Sequence, residues 1–150
     1  MFYLLLMLII TTFIISCSIP QIVLIKDPLT AEEHLQLGLS YEKRGLFTEA
    51  ERHYKEASKS DARGFLLLGN LYLNQGKYKE AEEYYKKAIN KDEKLADAYN
   101  NLGWLYYLEN RNLDKAEKLV EKAIEIEKNN PEKIKIYEDT IEKIKNKKRR

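Results

Sequence analysis

Three stretches of this chain repeat one another, and self-similarity at a near-fixed period constrains a fold more tightly than any single motif. They are HLQLGLSYEKRGLFTEAERHYKEA (34–57), FLLLGNLYLNQGKYKEAEEYYKKA (65–88) and YNNLGWLYYLENRNLDKAEKLVEKA (99–123). Each has Leu-Gly, an aromatic residue three positions after the glycine, and a turn. Glu-Ala or Lys-Ala follows, with a second alanine seven residues on. The glycines Gly38, Gly69 and Gly103 are 31 and 34 residues apart. In the second copy Phe65, Leu68, Gly69 and Tyr72 fall at i, i+3, i+4 and i+7, which is one apolar face of a helix. Tyr78, Ala81, Tyr85 and Ala88 make the matching face of a second helix. Gly76 between them permits the positive φ at which a helix ends. Small residues recur where paired helices must approach: Gly38 with Ala50 and Ala57, Gly69 with Ala81 and Ala88, Gly103 with Ala116 and Ala123. A β-branched residue at any of them is expected to push the helices apart, at about 1–3 kcal/mol.

This spacing resembles the tetratricopeptide repeat family over roughly residues 31–128. The resemblance implies an all-α fold, a right-handed superhelical stack of helix-turn-helix hairpins. Its three repeats would occupy 30–130, at about 31–61, 62–95 and 96–130. Thr30 and Glu33 form a capping box, so the folded part is expected to begin there. The first repeat is three residues short between Ala57 and Phe65. The loop 58–62 is therefore expected to be tight, with an altered angle between repeats 1 and 2. The third repeat has one extra residue in its turn (109–112), Leu113 where the family has an aromatic, and Val120 where the other copies have Tyr54 and Tyr85. Beyond Pro131, Ile134, Tyr137, Ile141 and Ile144 share one face of a helix whose other face is charged. The segment 131–150 reads as a C-terminal capping helix for the open end of the stack, with a basic tail. That tail, NKKRR, is expected to be a solvated helix end whose charge suits a helix C-terminus; contact with anionic lipid or nucleic acid is the alternative.

The N-terminal end has a different character. No charged residue precedes Lys26, and residues 2–15 are almost unbroken apolar sequence. As a helix those 14 residues would span about 21 Å, short of the roughly 30 Å hydrocarbon core. That length suits a secretory signal better than a spanning helix. Ile14-Ile15-Ser16-Cys17 resembles the lipobox of bacterial lipoprotein precursors. The resemblance implies a signal peptide over 1–16, lipid attachment at Cys17 and a tether over 17–29. The protein would then lie in the cell envelope, lipid-anchored to a bacterial membrane. Ser18, rather than Asp, follows the cysteine, and by the sorting rule of enteric bacteria this implies the outer membrane facing the periplasm over the inner membrane. Two other readings stay open: an uncleaved membrane anchor reaching Ile25, and a buried helix in which Cys17 is an ordinary apolar residue.

The chemistry of the body is spare. Lys plus Arg number 26 and Asp plus Glu 24, a net charge of +2, without the basic excess of a dedicated nucleic-acid binder, so no nucleic-acid partner is expected. Charged residues at 33% and apolar ones at 44% are compatible with a buried core and not with disorder. One cysteine excludes an internal disulfide framework and a multi-cysteine metal site. There is no phosphate-binding Gly-rich loop, HExxH, CxxC or GxSxG. His34 and His53 read as packing or surface residues. No cofactor, metal or enzymatic activity is expected.

In tetratricopeptide repeats the first helices line a concave groove that receives a peptide or a helix. Carried over position by position, the resemblance implies Leu35, Leu39, Glu42 and Lys43 in repeat 1. Leu66, Asn70, Leu73 and Asn74 follow in repeat 2, and Asn100, Trp104, Tyr107 and Leu108 in repeat 3. Trp104 and Tyr107 fall opposite the packing residues Tyr99, Leu102 and Tyr106, and large aromatics off the core face suit binding anchors. Asn70 and Asn100 suit hydrogen bonding to the backbone of an extended ligand. The family's carboxylate-clamp subgroup has Lys and Arg at places held here by Leu35, Leu39, Asn100 and Trp104. An apolar or amide-reading groove is therefore expected. The implied function is a non-catalytic scaffold that holds a protein or peptide partner near a membrane, as in envelope or pilus assembly. The alternatives are that these side chains pack against the leader, tether or C-terminal helix, and that the groove is filled by another copy in a homo-oligomer.

Overall fold

The computed structural model describes residues 28–150. The expectations for the signal peptide, for Cys17 and for most of the tether lie outside the described residues. Those residues form seven helices and no strand: α1 (Ala31–Lys43), α2 (Phe47–Ser58), α3 (Ala62–Asn74), α4 (Tyr78–Lys91), α5 (Ala96–Leu108), α6 (Leu113–Ile126) and α7 (Pro131–Lys148). They make the all-α stack of hairpins read from the repeats.

Local chemistry sets the ends. Thr30 accepts from the Glu33 N–H at 3.2 Å, and its own N–H donates to the Glu33 carboxylate at 2.7 Å, a closed capping box. Gly45 (φ 76°) and Gly76 (φ 72°) close α1 and α3 in the left-handed region. The longer turn after α5 uses Asn110 and Asn112 instead, both at φ 51°. Asparagine tolerates this conformation because its short amide can bond locally. Asn130 caps α7 and Pro131 opens it, where the missing N–H has no helical acceptor to lose.

Each hairpin closes by a ring or methyl entering the space left by a missing side chain. A Cβ on Gly38 would lie 2.3 Å from Tyr54 Cε1, one on Gly69 2.4 Å from Tyr85 Cε1, and one on Gly103 2.7 Å from Val120 Cγ2. Six alanines of the second helices, from Ala50 to Ala123, are fully buried beside them. The phenol hydroxyls then tie hairpins together. Tyr72 donates to Glu51 at 2.9 Å, and its counterpart Tyr106 donates to Glu82 at 2.8 Å, the same rung used at both junctions.

The second rung carries a pH signature. Burial pushes the Glu82 carboxyl up, but bonds from Lys86, Arg111 and Tyr106 outweigh it and hold the group at about 2. A folded value below the unfolded one stabilises the fold above the unfolded range near 4.5, and that contribution fades as pH falls toward 2. Urea midpoints of wild type and Glu82→Gln should therefore differ at pH 7, draw together below about pH 4.5, and converge only below about pH 2. A gap that stays constant with pH would reject the assignment.

The shortened linker is resolved by one residue. Gly64, in the first turn of α3, sits against the last turn of α2: a Cβ there would lie 2.4 Å from Ser58 N and 2.7 Å from both Ser58 Cα and Tyr54 O. The equivalent place in repeat 3 holds Ala98, fully buried. Successive hairpins meet mainly second helix to next first helix, α2 on α3, α4 on α5 and α6 on α7; the first helices also approach one another, α1 to α3, α3 to α5 and α5 to α7, whereas the backbones of α2, α4 and α6 stay apart. The first helices are therefore the inner, concave row and the second helices the splayed outer one.

Helix α7 closes the stack. Its Tyr137, Thr140 and Ile144 are buried against α6 and α5. Asp97 on α5 accepts from Tyr137 Oη at 2.6 Å and from Lys133 Nζ at 2.8 Å. Asp97→Ala leaves the buried phenol without its acceptor and is expected to cost about 1–2 kcal/mol. Hydrogen exchange should speed up first in α7. Unchanged protection there would show that apolar packing alone holds the cap.

Candidate functional site

The inner row contains every groove residue inferred from the sequence, and the structure divides them. Leu35 and Leu66 are buried in the stack, and Asn100 is only 9% exposed, so these three present little surface. Leu39 and Leu108 are exposed at 43% and 40%, as are Lys43 and Asn74. Glu42, Asn70, Leu73, Trp104 and Tyr107 are half-buried. Glu42 is engaged, accepting from Tyr54 Oη at 2.6 Å.

Trp104 and Tyr107 come together. One helical turn apart on α5, their rings stack with centroids 4.8 Å apart and planes at 24°. The C-terminal helix reaches the same rings. Lys143 Nζ lies 5.5 Å from the Trp104 ring centre and Lys147 Nζ 4.5 Å from that of Tyr107, within cation–π range. Lys147 also donates to the Tyr107 carbonyl at 2.8 Å. The tail is thus an exposed helix end, as read from the sequence, at Asn146, Arg149 and Arg150, while Lys147 and Lys148 are tied to the stack. Helix α7 runs to Lys148, and Lys148 pairs with Asp114 and Glu117 at 2.6 Å each. Carboxylates on α6 and aromatic rings on α5 lie close enough to hold what composition alone would leave in water.

The asparagines form a short amide ladder. Asn70 Oδ1 accepts from Tyr85 Oη at 2.9 Å and from Asn101 Nδ2 at 2.8 Å. Asn101 Oδ1 in turn accepts from Asn100 Nδ2 at 3.2 Å. Asn70 thus spans repeats 2 and 3 through its carbonyl oxygen. The oxygen of Asn100 is buried with no hydrogen-bond partner. Asn101 was not among the residues inferred from the sequence, and Asn-Asn before Leu-Gly was the available signal. Gly64 was also missed, and its signal was the short linker that precedes it.

The histidines lie away from this row's aromatic pair. His34 and His53 are both buried in repeat 1, with Nδ1 atoms 2.9 Å apart and the His53 ring stacked on Tyr41 at 5.3 Å. Among the described residues no group of three or more His, Cys, Asp or Glu could hold a metal ion. No helix among them is long and apolar enough to cross a membrane.

With this geometry in hand, residues 61–129 match the family model described as tetratricopeptide repeat. Residues 61–129 carry tetratricopeptide repeats. Solved repeat domains share its fold. The first repeat domain of Spaghetti (RPAP3), bound to an HSP90 peptide, is 23% identical with a TM-score of 0.67, covering 80% of this chain and 94% of that one. The Yersinia enterocolitica type III secretion chaperone SycD, in complex with a peptide of the translocator YopD, is 24% identical with a TM-score of 0.68 over 78% and 93%. The TPR2B domain of yeast Sti1 is 23% identical with a TM-score of 0.68 over 77% and 96%. Comparison with curated proteins gave no match.

Proposed function

We propose that these repeats form a non-catalytic interaction module that holds a peptide or helix of a partner protein along the inner row. The stacked Trp104–Tyr107 pair carries this reading. Two large rings stay half-buried on the concave face, Tyr107 with one side against the core, and such rings release the most water when a partner covers their remaining surface. Leu39, Leu73 and Leu108 extend the apolar surface along the row, and Asn70 retains an amide N–H group beside it. Peptide-bound relatives with the same fold support the use of such a row.

The module is held at a membrane by lipid on Cys17, on the outer side of a bacterial inner membrane or, with Ser18 next in sequence, at the outer membrane facing the periplasm. The apolar run 2–15 and Ile-Ile-Ser-Cys support this. The intact mass of the mature protein tests it: cleavage before Cys17 plus a lipid gives a mass no uncleaved anchor can have.

Crosslinking from native membranes tests the row. Trp104→Ala with Tyr107→Ala is expected to weaken partner capture by about a hundredfold or more, since aromatic anchors lose 2 kcal/mol or more each. Far-UV circular dichroism should keep its helical form. Unchanged capture refutes the groove assignment.

A further inference from the structure

The two ends of the stack differ. At the C-terminal end α7 covers α6. At the N-terminal end α1 packs, among the described elements, only on α2 and lightly on α3. The later hairpins show what such an outward face carries. Leu68 and Leu71 of α3 are buried against hairpin 1, and Leu102 and Leu105 of α5 against hairpin 2. The same two places on α1 hold Leu37, half-buried, and Ser40, exposed. Beside them stands a group of rings. Tyr41 stacks on His53 at 5.3 Å and 9°, just as Tyr72 stacks on Tyr84 at 5.3 Å and 9°, and His34 takes the place of Phe65. In hairpin 2 these rings pack toward hairpin 1, yet Phe65 and Tyr84 remain half-buried. In hairpin 1 no other hairpin precedes them among the described residues, yet His34 and His53 are only 3% and 4% exposed. Arg52 reaches one edge of His53. The rest of the cover has to come from chain before α1, and residues 28–30 are themselves exposed.

We propose that segment 22–27 lies back along α1 and caps this end of the stack, with its apolar side chains against His34, Leu37 and Tyr41. Ile22, Val23, Leu24 and Ile25 follow one another directly before the fold. As a free spacer all of them would stand in water, which apolar side chains leave when a surface is offered. Reach fits. The capping box at Thr30, with Pro28 behind it, stops α1 from growing backwards. Extended, residues 22–27 span about 20 Å, and Tyr41 lies about 15 Å along α1 from Ala31. The uncovered strip is one helix wide, with Glu33, Ser40 and Arg44 exposed along its edge. That suits one extended segment of the same chain better than a second copy, for which a stable dimer needs about 800 Å² per partner. Attachment through Pro28 also keeps the segment at high effective concentration. The segment is then part of the fold and not a free tether. With lipid on Cys17, only residues 18–21 remain as spacer, about 14 Å at full extension, so the repeats stand close against the membrane.

The test uses the full chain, with p-benzoylphenylalanine at position 24 and a mixture of isotope-labelled and unlabelled protein. Crosslinks are expected within one chain, to peptides of α1 that carry Leu37 or Tyr41. Crosslinks between labelled and unlabelled chains assign the face to a second copy and overturn the proposal. Crosslinks to detergent or lipid alone assign the segment to the membrane and overturn it as well. A second measurement does not depend on the crosslinker. Serine replaces Ile22, Val23, Leu24 and Ile25 together, and hydrogen exchange is followed helix by helix. Amides of α1 and α2 are expected to exchange about tenfold faster, with α5, α6 and α7 little changed, because each repeat couples mainly to its neighbours. Exchange in α1 and α2 at the wild-type rate overturns the proposal, since a cap that contributes no protection is not docked. Neither result bears on the groove, whose own test is partner capture by the Trp104 and Tyr107 double variant.

Discussion

Gly64→Ala is expected to destabilise the fold by about 2–3 kcal/mol, although alanine is the better helix former by about 1 kcal/mol. The sign reverses because the new methyl would meet main chain. Ser58 N at 2.4 Å, Ser58 Cα at 2.7 Å and Tyr54 O at 2.7 Å belong to the last turn of α2, and none can turn aside as a side-chain tip can. Only separation of α2 from α3 makes room. That movement would loosen the contact between α1 and α3 and open the first step of the concave row. Gly45→Ala is the control. It has positive φ (76°) and nothing within 4 Å, so it carries only the left-handed penalty of about 1 kcal/mol. Urea denaturation of the two variants decides the matter. Should Gly64→Ala prove no worse than Gly45→Ala, the close approach of the backbones is wrong.

Asn70→Ala is expected to lose about 2–3 kcal/mol, more than its half-buried position suggests. Its carbonyl oxygen serves Tyr85, whose side chain is fully buried under Gly69, and Asn101 from the next repeat. Truncation leaves a buried hydroxyl with no acceptor. Burial already pushes the Tyr85 phenol up, so ionisation offers no relief. In a Tyr85→Phe background the same truncation should lose about 1 kcal/mol less, because the stranded donor is gone. Effects of the two substitutions that simply add would show that the bond contributes nothing. The result bears on function as well. Loss of partner binding in Asn70→Ala would mix a weakened fold with a lost contact, whereas Leu39→Ser and Leu108→Ser change exposed groove positions that hold nothing else together.

The local pieces of this fold could be read directly from the residues. Helix period, the capping box at Thr30 and the glycine turn at 76 all act within a few positions. So does the pairing of Gly69 with Ala81 and Ala88, because a hairpin brings its two helices together by its own short turn. The repetition implied that the hairpins stack alike, and the structure adds the rung that joins them, Tyr72 to Glu51 recurring as Tyr106 to Glu82. The groove was legible as a set of helix faces and only partly as a surface. Carrying positions across repeats treats all three as equivalent. Leu35, Leu66 and Asn100 show that they are not, because burial depends on which neighbour stands on either side.

From the sequence alone came the class of fold, the three hairpins, the cap and the face on which Trp104 and Tyr107 lie. These follow from contacts between residues close in the chain. The tertiary structure decided that Gly64 must have no side chain, that Asn101 joins Asn70 to Asn100, and that Lys143 and Lys147 come to rest over the aromatic pair while Lys145 and Lys148 turn to α6. Each of those outcomes depends on how elements distant in the chain are set against one another. That setting is determined by linker length and by the summed packing of many side chains, which no local pattern records.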